Sequence, residues 1–310
     1  MSDVVIREKK VVVNVWGFTG YLVADRVYEN IINRNLLCVL SRGFGGTTCF
    51  VYPITGGSYT IDRVLEVRDS SGLRAGTGTT TPSTNDTDVP GYVETVAPTV
   101  ALAKVNNAYE IRFYGAPTTN ISTLGLAQTL HTLSTGGSRF YDPFLYTRVL
   151  ASIPAGTSFM YAIRIPHPLN ANFSAYLYGW FTRGTPTMMD IDGVARSVQG
   201  WNPHPNLVAY ILVSDADVDD SIDRATVPSY TLVRASSGFV SGVRQGSFTV
   251  SATFTPSEPY TVRLVGMVKE LADTGGTVRR FMMALKRLPT PVTLEPGKQI
   301  GVTFNLINRM

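Results

Sequence analysis

Five carboxylates crowd one short stretch, at Asp215, Asp217, Asp219, Asp220 and Asp223. Alternate acids at this spacing resemble a calcium loop, because a hard cation gathers several oxygens from one turn. The pattern breaks where it matters. Asp220 stands where the sixth residue of an EF-hand loop must be Gly, and Thr226 where the twelfth must be a bidentate Glu. Asp215, Asp217, Asp219 and Asp223 therefore form a weak metal set, and a solvated acidic turn is the plainer reading. His131, His167 and His204 lie far apart, and no His-x-x-x-His or Cys-x-x-Cys pair supports zinc. The Gly-rich stretches RGFGGTT (42–48) and LRAGTGTTTPS (73–83) lack the Gly-Lys-Ser/Thr ending of a phosphate loop and are expected to be turns. No Gly-x-Ser-x-Gly elbow and no recognisable carboxylate pair appears, so neither catalysis nor a cofactor is expected. The aromatics Tyr141, Trp180, Phe181 and Trp201, the last beside His204 in WNPHPNL, are the residues suited to stacking on a ligand if exposed.

The elements that would carry these residues are strands. The chain has 310 residues, with 28 Gly, 18 Pro, 15 Tyr and 14 Phe, and many Thr and Val, a mixture of strand formers and turn formers. Charged residues make up 16%, below the ~25% of an average globular protein, so a disordered chain is excluded and much of the surface is expected to be covered by partners. The 27 basic and 23 acidic residues are spread along the chain and form no patch for nucleic acid. The longest apolar run, LVAYILV (207–213), is too short to span a bilayer as a helix, and the first residues lack the apolar core and cleavage site of a signal peptide. Synthesis in a cytoplasm is expected, with no membrane partner. Cys38 and Cys49 are too few for a disulfide framework; they could meet across a hairpin, but free buried thiols are expected.

An internal similarity organises the chain. YEIRFYGAPTTNISTLGL (109–126) and FTVSATFTPSEPYTVRLVGM (248–267) each read as strand, Pro-containing turn, and strand ending apolar-Gly-apolar. Thr-Gly-Gly turns, apolar runs and Pro/Gly turns follow in both. Gly125 to Gly156 and Gly266 to Gly297 are each 31 residues, so the register is expected to run without a gap. Final strands then alternate cleanly, with Phe159, Tyr161, Ile163 and Ile165 in one and Ile300, Val302, Phe304 and Leu306 in the other. VPGY (89–92) matches VPSY (227–230) at a slightly smaller offset.

A mainly β chain follows, with two tandem β-sandwich units, 1–167 and 168–310, joined by a linker in PHPLNANF (166–173). About one packed helix is expected in each. Thr19 would cap a helix over YLVADRVYENIINRNLL, and MMDIDGVARSVQG (188–200) would supply a weaker counterpart. The N-terminal run with Val4, Val5, Ile6, Val11, Val12 and Val13 is expected to pair with a neighbouring subunit's sheet.

The segment AGTGTTTPSTNDTD (75–88), with the closing strand after a Pro-Gly turn in PVTLEPGKQIGVTFNLI (291–307), resembles virion structural proteins of tailed bacteriophages. The second half has LVSDADVDDS in place of the GTGTT turn, so only the sandwich core would be shared there. The resemblance implies a building block of a virus particle, in a tail, collar, fibre-attachment or head-surface position. Its partners would be further copies of itself and other virion proteins, and its location the virion. The competing expectation is a receptor- or carbohydrate-binding adhesin module, whose contact set would be Trp180, Phe181, Trp201 and Tyr141.

Overall fold

Strand formers punctuated by Gly, Pro and Asn dictate short extended segments and tight turns, and the computed structural model is mainly β. It describes all residues except 1, 8–9, 17, 25, 45, 47, 84, 200–207, 242–244 and 310. The first part contains β1 (Ser2–Arg7), β2 (Lys10–Trp16), β3 (Thr19–Val23), β4 (Val27–Ile32), α1 (Arg34–Gly43), β5 (Cys49–Val51), β6 (Tyr59–Val67) and β7 (Gly72–Gly76). Next come β8 (Tyr92–Val96), β9 (Thr99–Val105), β10 (Ala108–Gly115), β11 (Ile121–Ser134), β12 (Arg139–Ile153) and β13 (Phe159–Pro166). The remainder comprises α2 (Ala171–Thr182), β14 (Thr187–Met189), β15 (Ala195–Ser197), β16 (Ala209–Ser214), β17 (Thr231–Arg234), β18 (Ser236–Ser241), β19 (Gln245–Phe254), β20 (Tyr260–Ala272), β21 (Val278–Leu294) and β22 (Ile300–Arg309).

A five-stranded sheet has the order β1-β2-β22-β19-β18, and a four-stranded one β17-β16-β20-β21. The largest sheet runs β5-β6-β11-β12-β4-β3-β13-β10-β9, with β7 paired to β11 and β8 to β7. One apolar core draws on all three sheets and both helices, from Val11 and Phe18 through Phe113, Tyr161 and Phe173 to Met267 and Phe304.

The two halves repeat one hydrogen-bonding plan. The β11–β12 ladder slips between Ile121 and Thr123 and again between Leu126 and Ala127; the β20–β21 ladder slips at Val262/Leu264 and Met267/Val268. Beside these hairpins, Gly125 pairs with Arg74 of β7 and Gly266 with Leu212 of β16. A Cβ on Gly125 would lie 2.8 Å from the Thr147 carbonyl, and on Gly266 2.9 Å from that of Ala284, so both apolar-Gly-apolar signals mark a close strand approach. The equal 31-residue spacing conceals two compensating changes. Beyond the second slip the ladder has seven residue pairs in the first hairpin and five in the second. β21 recovers the length between Arg287 and the turn before Ile300.

Both helices differ from the expected ones. The stretch from Thr19 forms the β3–β4 hairpin, since Gly20 and the β-branched Val23, Val27 and Ile32 favour pleated backbone over a helix. α1 begins only after Asn33, whose side chain accepts from the Asn35 N–H. The segment from Met188 is the β14–β15 hairpin, turned by Asp190 Oδ1, which accepts from the Asp192 and Val194 N–H groups. The second helix lies in the expected linker: Asn170 caps α2 by accepting from the Phe173 N–H. Cys38 in α1 and Cys49 in β5, expected as free thiols, form a buried disulfide with Cα atoms 5.9 Å apart.

Asn-x-Asn opens each helix, and beyond the cap bond itself it ties both helices to strand backbone in the same way. The Asn33 N–H donates to the Tyr146 carbonyl and that of Asn170 to Met283. Asn35 donates to the Tyr52 and Leu145 carbonyls and accepts from the Tyr52 N–H. Asn172 donates to the Met189 and Met282 carbonyls and accepts from the Met189 N–H. The far face of each helix packs on the other half: α1 on β18 and β19, α2 on β9 and β10. The Phe44 ring, ending α1, lies 5.2 Å from Phe248, and Phe181 in α2 lies 5.8 Å from Phe113.

Candidate assembly and recognition surfaces

The N-terminal apolar residues separate by the alternation of the strand they lie on. Val11, Val13 and Val15 are fully buried, because β2 lies against β22 with one face in the core. Val4, Val5 and Val12 are half-buried, and Ile6 is 37% exposed. β1 pairs with β2 in its own chain, from Ser2 opposite Val15 to Arg7 opposite Lys10. It is the end of its sheet, so its outer backbone groups have no strand partner among the described residues. The Trp16 indole donates to Asp3 Oδ1 at 2.8 Å and ties the hairpin together.

Of the three described aromatics expected to face a ligand, only Tyr141 is found on the surface, 55% exposed on the distal part of the β11–β12 hairpin. It stacks on His131, ring centroids 4.1 Å apart, and the Arg68 guanidinium lies 5.4 Å from its centroid. Burial, with Arg139 nearby, lowers the His131 pKa. Trp180 and Phe181 are buried, at 2% and 0% exposure, because α2 is apolar nearly all round and is enclosed between β21 and the β9–β10 edge. Trp201 and His204 lie outside the described residues.

The acids of the 215–223 segment fan out to separate partners. Asp217 meets Arg287, Asp219 meets Arg224, and Asp215 accepts from the Ser229 hydroxyl at 2.6 Å. Asp223 takes Lys104 of β9 and the Tyr109 hydroxyl of β10; these bonds, the lysine's foremost, lower its pKa. Asp220 lies 3.3 Å from His167 and 3.1 Å from Lys286, and accepts from the Arg287 N–H at 3.0 Å. Burial opposes its ionisation, but these donors outweigh it and hold the carboxyl far below the usual range. Among the described residues no three His, Cys, Asp or Glu side chains converge as metal ligands. The segment is a clasp across the two halves, through Asp223 and the His167–Asp220 contact.

The GTGTT loop is also pinned. Arg74 grips Asp88 in a fork of two 2.7 Å bonds, and the Asn33 amide donates to the Asp86 carbonyl. Arg148, 2% exposed, places Nε 2.8 Å from Asp86 Oδ2 and donates to the Thr80 hydroxyl and carbonyl. Burial lowers the Arg148 pKa and raises that of Asp86, so each ion depends on the other. Gly78 passes so close to Pro90 that a Cβ would lie 2.5 Å from the proline's own.

Sequence reasoning missed Asn33, Asn35, Asn170 and Asn172, as well as Arg148 and Lys269. A repeated Asn-x-Asn was present as a signal, but its meaning requires the strand carbonyls it meets. No protein-family model, no curated protein and no solved structure matches this chain.

Proposed function

We propose that the chain is a structural component of a virus particle, in a tail, collar, fibre-attachment or head-surface position, acting through self-assembly and protein–protein contacts. The observation that carries this reading is the open outer edge of β1, a six-residue strand whose alternate residues turn their backbone donors and acceptors outward, beside the exposed Ile6. Such an edge is a template for a strand of another chain. The resemblance of residues 75–88 to virion structural proteins of tailed bacteriophages supports the same reading, as does the low charge content. Its partners are further copies and other virion proteins.

Light scattering on the full chain and on a variant lacking residues 2–7 tests it. A discrete multiple of 33.7 kDa, or polymers, is expected for the full chain and a smaller species for the variant. A full chain that remains at 33.7 kDa at high concentration overturns self-assembly.

Tyr141 favours a second reading, an adhesin-like binding module. An exposed ring stacked on His131 beside Arg68 is a small platform for a sugar or a partner side chain. Binding of a glycan array by the monomer, abolished in Tyr141→Ala, is its expected signature; an array that stays blank removes the carbohydrate version.

A further inference from the structure

β13 and β22 occupy matching places, yet their free sides are closed differently. Each pairs antiparallel on one side, β13 with β10 and β22 with β19. On its other side β13 takes β3, antiparallel, from the hairpin that directly precedes α1. The second half has no such hairpin to offer, because β13 reaches α2 through residues 167–170 alone. The vacancy beside β22 is filled from the far end of the chain by β2, running parallel, from Lys10 opposite Gly301 to Trp16 opposite Ile307. Every other pair of described strands is antiparallel.

Register matches side chains as well as backbone. Val11, Val13 and Val15 stand beside Val302, Phe304 and Leu306, and all six are buried. The slot is therefore apolar and needs an occupant. Among the described residues the only strand partners of the β1–β2 hairpin are its own two strands and β22. Two residues, 17 and 18, separate it from β3.

We propose that the β1–β2 hairpin is an exchangeable arm, which in the assembled protein lies on β22 of a second copy of this chain. The inference rests on the self-assembly reading above and names its partner surface. β22 recognises a strand backbone and three valines, which any copy supplies, so contacts made between chains equal those made within one. The exchange costs association entropy and a change in the direction of the arm relative to β3, the terms that govern swapping of an element between protomers.

The Asn305 amide donates to Asn14 Oδ1 at 3.2 Å, so cysteines at these facing positions report which chain the arm lies on. The full chain carrying Asn14→Cys with Asn305→Cys is oxidised and run without reductant, alongside light scattering of the same sample. Covalent species of at least twice 33.7 kDa, absent from each single variant and lost on reduction, are expected. A band only at 33.7 kDa from a sample that scatters as an oligomer overturns the exchange and leaves self-assembly standing. The same band from a sample that scatters as a monomer overturns both. Val12→Cys with Thr303→Cys, the next facing pair on the same ladder, gives the same readout if the first pair fails to fold.

Discussion

Gln128 on β11 and Lys269 on β20 stand at matching places beside the bulges, and each meets the end of the other half's helix. Gln128 donates to the Trp180 and Phe181 carbonyls of α2, whereas the Lys269 ammonium lies 5.7 Å from the ring of Phe44 at the end of α1. Burial pushes the Lys269 pKa down to about 7, against a partial opposing effect of Glu270. In the unfolded chain the same lysine holds its proton to about 10.4. Between these limits the unfolded state binds more protons, so stability rises with pH from about 7 towards 10, with a slope approaching about 1.4 kcal/mol per pH unit. Burial raises Tyr21 and Tyr109 to about 12, so in the folded protein neither titrates in that window, while their unfolded-state ionisation near about 10 opposes the climb only at its upper end. Urea midpoints measured across it should climb in the native protein and lose this component of the climb in Lys269→Met. An unchanged slope would show that the ammonium is as well solvated folded as unfolded. None of this was legible in the sequence, where Lys269 is one of six scattered lysines and its burial depends on a helix from the other half.

The elements were legible where one face is buried and the other is not. β22 alternates in sequence as it does in burial, β13 buries the expected Phe159, Tyr161, Ile163 and Ile165 together with Ala162 of its other face, and the two long hairpins carry the expected turns. The helices were not legible, for opposite reasons. α2 is enclosed on most sides and shows no amphipathic stripe, so its Trp180 and Phe181 read as exposed contact aromatics. The β3–β4 hairpin places apolar residues at spacings that imitate a helix face, although Gly20 and five β-branched residues, Thr19, Val23, Val27, Ile31 and Ile32, argue otherwise. Glycine at the bulges gives a check on the repeated plan. Gly125→Ala and Gly266→Ala each force a methyl group against a strand carbonyl and should destabilise by about 1–3 kcal/mol, read as a lower urea midpoint. Gly56→Ala is an informative comparison: it has open space but a φ of +96°, so its cost is backbone strain of about 1 kcal/mol. Equal midpoints for all three would mean that the strands separate to admit the methyl.

At the scale of the molecule, the halves are joined by more than a linker. α1 packs on β18 and β19, α2 on β9 and β10, the 215–223 clasp bridges Asp223 to Lys104, and one core runs through both. Fragments 1–167 and 168–310, expressed separately, should each lack the native near-ultraviolet signature, since each exposes the helix face and sheet edge that the other covers. Co-expressed, they should recover it as a stable complex. Two fragments that fold alone would place the boundary of cooperative folding between residues 167 and 168 rather than around the whole chain.

The parallel seating of β2 on β22 also decides where the chain ends. Ser2 faces Val15, and Val15 faces Leu306, so the first and last described strands finish on the same side of one sheet with a single strand between them. At a strand spacing of about 4.8 Å Ser2 and Leu306 are roughly 10 Å apart, and β22 runs three residues further, to Arg309. A linker of a few residues would close the polypeptide into a circle, and new termini could be opened at the exposed Gly136–Gly137 tip of the β11–β12 hairpin. In such a circular permutant the arm is tethered at both ends, one to β3 and the other to β22, and the molecule is held to its own strand partner.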